Sequence, residues 1–304
     1  MWNRLVECVP NISEGQRREV IEEIAGAAEG EGRRVIDLSM DADHNRSVIT
    51  LIGEPEGLAN GVINLARKAV ERIDLRKHRG AHPRMGAVDV IPFIPVCGVT
   101  MSDCVSLSRK VGERIAKELK VPVYLYEESA TSQQRRNLAA IRKGEFEGFA
   151  EKIADPQWQP DFGEPRLHPT AGAVAVGARE FLVAYNINLK TSELKVAKEI
   201  AAAVRFSSGG LRYVKALGLH LKERGIVQVS MNLTNFKKTS ILKVFEFVKR
   251  EAERRGVMIL ESEIVGKVPR QALYDVAAAA LQLKGFPPGL LLEEQIEKAL
   301  REDR

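Results

Sequence analysis

The order of strand and helix patterns is the feature that most constrains the fold of this 304-residue chain. Period-2 and period-3.6 patterns predict a strand at 5–10, a helix at 20–28, strands at 33–38 and 47–52, a helix at 54–73 and a strand at 87–94. The same order returns further on, with strands at 181–187, 212–217, 227–231 and 257–260 and helices at 193–204 and 241–248. The chain therefore predicts a β-α-β-β-α-β unit that occurs twice.

Local signals add detail to the first unit. Ser13 and Gln16 have the spacing of a capping box before the first helix. A helix at 102–119, a strand at 123–126 and a shorter helix from Ser132 extend this unit. The proline-bearing stretch 154–170 predicts a connector between the two halves.

These patterns predict an α+β fold. Each unit would carry its helices on one face of a largely antiparallel sheet, and the two open faces would meet across a cleft. We place the first subdomain at 1–178 and the second at 179–304.

The composition and charge of the chain indicate which binding partners and which cellular compartment to expect. The chain is 44% hydrophobic and 29% charged, and it has no apolar run of the roughly 18–20 residues that a membrane span needs. Its net charge is +5, but Lys and Arg alternate with Glu along the helices, so we expect a small anionic substrate and neither a nucleic acid nor a membrane as partner. The first residues contain no signal-peptide core and the three cysteines form no motif, which favours a cytoplasmic location.

The stretch 78–92 is the best candidate for chemistry, because it holds two of the five histidines. Pro83 keeps His82 extended, and Gly80 and Gly86 allow sharp bends on either side. An imidazole on such a braced loop is suited to proton transfer, since its ordinary pKa of about 6.5 lies near neutrality.

Metal and phosphate sites are not expected. His78 and His82 stand four residues apart, as ligands on a helix would, but Gly80 and Pro83 oppose a helix there. Residues 207–210 form a lone glycine-bearing turn without a surrounding phosphate-binding motif, and we assign them no role.

Several long blocks in one order give the chain a family resemblance. They are 5–11 with Ser13-Glu14-Gly15, 82–87 with Asp89-Val90 and 92–96, 121–126, 161–163, and Asn186-Ile187-Asn188-Leu189. With them the chain resembles the formiminotransferase domain of the formiminotransferase-cyclodeaminase family over nearly its whole length.

The resemblance implies a fold, an activity and a set of site residues. It implies two ferredoxin-like subdomains, a homodimer, and transfer of a formimidoyl group between N-formimidoyl-L-glutamate and tetrahydrofolate in histidine degradation. His82 matches the family's general base, and Gly163, Pro169 and Gly172 match its folate-contacting stretch, although residues 164–168 depart from the animal pattern. Tetrahydrofolate is thus expected as co-substrate, without a metal.

Both substrates of such a reaction carry carboxylates, which arginine pairs with well through two parallel hydrogen bonds. Arg84 and Arg46 are the candidates, and the alternative for each is an ordinary solvated or structural arginine. Two other functions stay open: formyl transfer from N-formyl-L-glutamate, and a folate-binding module without turnover.

Overall fold

The computed structural model describes residues 2–42, 44–80, 83–284, 286 and 288–302. It divides into two compact units, residues 1–179 and 180–304. The predicted α+β class is confirmed, because each unit combines one sheet with its own helices.

The first unit is built on one seven-stranded sheet. Its elements are β1 (Leu5–Cys8), β2 (Asn11–Ile12), α1 (Arg18–Ala28), β3 (Arg33–Asp41), β4 (Arg46–Gly53), α2 (Pro55–Arg72), β5 (Val88–Cys97), α3 (Met101–Leu119), β6 (Val123–Glu127), α4 (Leu138–Arg142), α5 (Glu145–Ala154) and β7 (Val174–Ala178). β1 and β2 form an interrupted strand between β4 and β5, and β3 lies outside β4. Beyond β5 the sheet continues through β7 to β6, and these contacts are parallel.

Helices cover both faces of this sheet. α1, α2 and α3 bury their apolar stripes against one face, which forms the main core of the unit. α4 and α5 place Ile141, Phe149 and Ile153 on the opposite face, against Tyr124 and Tyr126 of β6. The second face is therefore helix-covered over β5, β7 and β6.

The predicted capping box at Ser13 and Gln16 is wrong. α1 begins at Arg18, and the Ser13 hydroxyl donates instead to the Gly86 carbonyl oxygen at 2.7 Å. The Gln16 amide donates to the Ala42 carbonyl oxygen at 3.2 Å. The polar side chains before α1 thus join distant segments, which local spacing does not reveal.

The stretch 154–170 is not a connector between the halves, because it lies inside the first unit and leads into β7. β7 pairs with β5 and β6, and all five of its residues are buried. A strand that is buried on both faces shows no period-2 alternation, and these residues are small. The sequence pattern therefore carried no strand signal here.

The second unit has a four-stranded antiparallel sheet in the order β11-β8-β10-β9. Its elements are β8 (Val183–Leu189), α6 (Leu194–Val204), β9 (Val214–Leu221), β10 (Ile226–Leu233), α7 (Ile241–Arg254), β11 (Ile259–Val265), α8 (Arg270–Ala280) and α9 (Leu292–Glu302). The predicted β-α-β-β-α-β order holds here, and α8 and α9 come after it. No helix in the described parts of either unit is long and apolar enough to cross a membrane.

A substitution at Gly177 in β7 tests how closely β7 packs against the parallel strand β6. A Cβ at this position would lie 2.3 Å from the Tyr126 carbonyl oxygen, so we expect Gly177→Ala to lower the free energy of unfolding by about 1–3 kcal/mol. Gly26, exposed in α1 with open space around its Cβ position, is the matched control, and Gly26→Ala should raise stability by about 0.5–1 kcal/mol. Urea unfolding measures both changes, and equal effects of the two substitutions would contradict the packing.

Candidate active site

Asn45 joins three chain segments beside the histidine-bearing stretch. Its side-chain oxygen accepts the Gly15 N–H at 2.8 Å, and its side-chain amide donates to the Arg79 carbonyl oxygen at 2.8 Å. Its carbonyl oxygen accepts from His78 Nε2 at 2.9 Å. Asn45 has φ of 48°, a left-handed conformation that asparagine tolerates better than most residues.

Two glycines allow these segments to touch. A Cβ on Gly15 would lie 2.2 Å from the Asp41 carbonyl oxygen, and one on Gly80 would lie 2.4 Å from the His44 carbonyl oxygen. Such approaches are open only to glycine. The segments 13–17, 41–46 and 78–80 therefore pack backbone against backbone.

His78 is a neutral, structural histidine. A carbonyl oxygen can only accept, so Nε2 carries the proton toward Asn45, and Nδ1 accepts from Arg84 Nε at 3.0 Å. Burial lowers the pKa of His78, and the neighbouring Arg84 charge lowers it further. Both ring nitrogens are occupied, so His78 is unsuited to act as a base.

Arg84 is buried and its guanidinium already faces carboxylates. Its Nη2 and Nη1 donate to the two Glu147 carboxylate oxygens at 2.7 and 2.9 Å, and Nη1 lies 3.4 Å from Glu145. The Arg84 hydrogen bond lowers the pKa of Glu147. The Arg84 guanidinium is therefore already engaged within the protein; His82, two residues before it, lies outside the described residues.

The predicted folate stretch meets the same loop at one end. The Gly172 N–H donates to the His168 carbonyl oxygen at 3.0 Å, and a Cβ on Gly172 would lie 2.1 Å from the Met85 carbonyl oxygen. Residues 171 and 173 hydrogen-bond to residues 87 and 85. Pro169 is exposed near this end, whereas the exposed Gly163 lies against Pro122 at the start of β6.

His168 has a defined tautomer within this stretch. Its Nδ1 accepts the N–H groups of Ala171 at 3.0 Å and Thr170 at 3.3 Å, so Nε2 carries the proton. Burial lowers its pKa. At neutral pH His168 is therefore a hydrogen-bond donor through Nε2.

A second charged cluster surrounds Asp89 at the end of the loop. One Asp89 carboxylate oxygen accepts the Met85 N–H at 2.8 Å, and the other is paired with Arg142 at the end of α4. Arg46 lies at the start of β4, and burial together with the Arg142 charge lowers its pKa, against the attraction of Asp41 and Asp89. Arg142 was missed in the sequence, because nothing local links it to Asp89.

The side chains of His44 and Asp41 contact each other on the exposed side of the 41–46 segment. His44 Nδ1 lies 2.7 Å from the Asp41 carboxylate, which also accepts the His44 backbone N–H at 2.9 Å. Burial opposes ionisation of Asp41, but these hydrogen bonds outweigh it and lower the pKa of Asp41. Among the described residues, no three His, Cys, Asp or Glu side chains are grouped to hold a metal ion.

Comparison with known proteins identifies the family. Residues 5–179 match the family model described as "Formiminotransferase domain, N-terminal subdomain", and residues 184–295 match "Formiminotransferase domain". The chain belongs to the formiminotransferase family. The resemblance noted from its sequence blocks is thereby confirmed.

Relatives within the formiminotransferase family match almost end to end. A protein named glutamate formimidoyltransferase from Thermoplasma acidophilum is 49% identical over 97% of this chain and 98% of its own length. One of the same name from Streptococcus pyogenes is 48% identical over 93% of this chain and 95% of its own length. The rat formimidoyltransferase-cyclodeaminase is 44% identical over 91% of this chain, which spans 52% of that relative.

The neutral state of His78 predicts a pH dependence of stability. Its pKa is lowered in the folded state, so the unfolded chain binds a proton first as the pH falls below about 6.5, and stability decreases from there toward the folded pKa. In His78→Gln this contribution is absent, so the loss of stability between pH 7.5 and 5.5 should be smaller than in the wild type. Urea unfolding at both pH values measures it, and an unchanged difference would show that His78 does not titrate as described.

Proposed function

We propose that this protein transfers the formimidoyl group of N-formimidoyl-L-glutamate to N5 of tetrahydrofolate, a step of histidine degradation. The products are L-glutamate and 5-formimidoyltetrahydrofolate. The observation that carries the proposal is the match of both units to the formiminotransferase family, with relatives of that activity name aligned over nearly the full chain. Tetrahydrofolate is the co-substrate.

The chemistry requires a base close to neutral pH. The folate N5 forms a bond to the amidine carbon and loses its proton to the base, the bond from that carbon to the glutamate nitrogen breaks, and the departing glutamate nitrogen takes up a proton. His82 is the proposed general base. Two observations support this role: both ring nitrogens of His78 are engaged, and Gly80 and Arg84, which flank His82 in the sequence, each make close contacts.

The folate subsite is proposed at Gly163, Pro169 and Gly172. This proposal is supported by the close approach of Gly172 to the backbone of Met85, three residues after His82 in the sequence. The exposed Pro169 and the Nε2–H of His168 offer an apolar surface and a donor close to it. Gly163 lies at the other end of the stretch, beside β6.

Several features of the family remain predictions for this chain. The strand order 4-1-3-2 in the second unit supports a ferredoxin-like subdomain there, and strands β1 to β5 with helices α1 and α2 of the first unit support another. The cleft between subdomains, the division at 1–178 and 179–304, the homodimer and the cytoplasmic location are predictions from the sequence.

The activity is tested with two donors side by side. Purified protein, tetrahydrofolate and either N-formimidoyl-L-glutamate or N-formyl-L-glutamate are mixed, and the folate product is identified by absorbance and mass. We expect turnover with the formimidoyl donor. Turnover with the formyl donor alone would establish the alternative transfer, and folate binding without turnover of either donor would establish a binding module.

The base is tested by His82→Ala and His82→Gln. Loss of a general base typically costs about 10²–10⁴-fold in rate, so kcat should fall within that range. His220, an exposed histidine of the second unit, supplies the control His220→Ala. Thermal unfolding establishes that each variant is folded, and a wild-type kcat in folded His82→Ala would remove the assignment.

A further inference from the structure

The Asp89 cluster contains more guanidinium donors than the protein itself uses. Arg46 Nε and Arg142 Nε are both buried and find no hydrogen-bond partner among the described residues. A buried donor left unpaired costs on the order of 1–3 kcal/mol, and more when the group is charged. Because two such donors occur in one cluster, a ligand that accepts from both would remove this cost.

Asp89 does not accept a hydrogen bond from Nε of Arg142. One of its carboxylate oxygens is taken by the Met85 N–H, and the other pairs with Arg142 Nη2. The contact with Asp89 therefore uses one nitrogen of the Arg142 guanidinium, and Nε is left without an acceptor among the described residues. Asp89 is 1% exposed, so it is held in place and fixes the direction of Arg142.

Strand register places Arg46 two strands away from Asp89 in the same sheet. Ile12 of β2 pairs with Ser47 of β4 on one side and with Val88 of β5 on the other. Because β4 and β5 both run antiparallel to β2, Arg46, which precedes Ser47, and Asp89, which follows Val88, are about 10 Å apart across the sheet and offset by about one to two residues along it. The Arg46 side chain extends toward this cluster, since the charges of Asp89 and Arg142 both act on its guanidinium.

We propose that Arg46 and Arg142 together bind a carboxylate of the substrates, with Asp89 as the residue that positions Arg142. The inference rests on the proposed function, because both N-formimidoyl-L-glutamate and the glutamate tail of tetrahydrofolate carry carboxylates. A carboxylate has the lone pairs to accept from both free Nε–H groups at once. Arg84, by contrast, is occupied by Glu147 and Glu145.

Direct binding tests the site without turnover. Isothermal titration of L-glutamate, L-glutamine and 5-formyltetrahydrofolate is carried out on the wild type, Arg46→Gln and Arg142→Lys. Because the Arg142→Lys variant keeps a positive charge beside Asp89, it avoids an unpaired buried carboxylate. Loss of a charged hydrogen-bonded pair should weaken the relevant ligand about 10- to 100-fold.

The pattern of losses identifies the carboxylate. Weaker L-glutamate binding, with unchanged 5-formyltetrahydrofolate binding, assigns the pair to the amino-acid substrate; equal losses for L-glutamine would indicate its α-carboxylate. If the variants bind 5-formyltetrahydrofolate more weakly, but bind a pteroate without the glutamate tail as well as the wild type does, the pair is assigned to the folate carboxylate. Unchanged affinity for all ligands in folded variants overturns the proposal.

Steady-state kinetics distinguish a direct role of Arg46 and Arg142 in substrate binding from a purely structural role. In the variants the KM for the affected substrate should rise by the same factor as the dissociation constant. Arg33, whose Nε donates to the Ala28 carbonyl oxygen at 2.7 Å, is the matched control, and Arg33→Gln should lower the Tm without changing either KM. If the wild type binds L-glutamate through these arginines but transfers no group, the proposed function fails while this site stands.

Discussion

Four hydrogen bonds of Asn45 hold the candidate active site together. Its backbone N–H donates to the Ala42 carbonyl oxygen, its side chain joins Gly15 and Arg79, and its carbonyl oxygen accepts from His78. An amide side chain can accept on one side and donate on the other, whereas a carboxylate lacks the donor and an aliphatic group lacks both. Residues 78 and 79, which precede His82 in the sequence, are therefore held by a residue from a distant segment.

The arginines around this loop differ in how far their charge is neutralised. Arg84 faces two glutamates and a neutral histidine acceptor, so its charge is matched inside the protein. Arg46 and Arg142 surround Asp89, and the Arg142 charge acts against that of Arg46. A bound anion would lower the repulsion between Arg46 and Arg142. At Arg84, where the charge is already matched by glutamates, it would have no comparable effect.

The sequence predicted the elements whose signals are local. The helix at 54–73 is observed as Pro55–Arg72, and its apolar residues at spacings of three and four are buried. β7 was missed because small residues buried on both faces carry no alternation, and Ser13 was misassigned because its partner, Gly86, is 73 residues away. Arg142 was missed for the same reason, since its partner Asp89 lies on another element.

The two units share a strand and helix order but differ in the segments attached to it, and some of the charges of the site come from the attached segments. Between β5 and β8 the first unit adds α3 to β7, and this addition supplies Arg142 and Glu147 on the face opposite α1 and α2. The described part of the second unit adds only α8 and α9, after its last strand. There Asn188 and Gln228 hydrogen-bond to each other, and both bond to the glutamates of β11. A network that satisfies its own donors needs no ligand, whereas the Nε–H groups of Arg46 on β4 and Arg142 on α4 have no partner among the described residues. The proposed binding pair therefore combines one arginine of the repeated order with one arginine of the added segment.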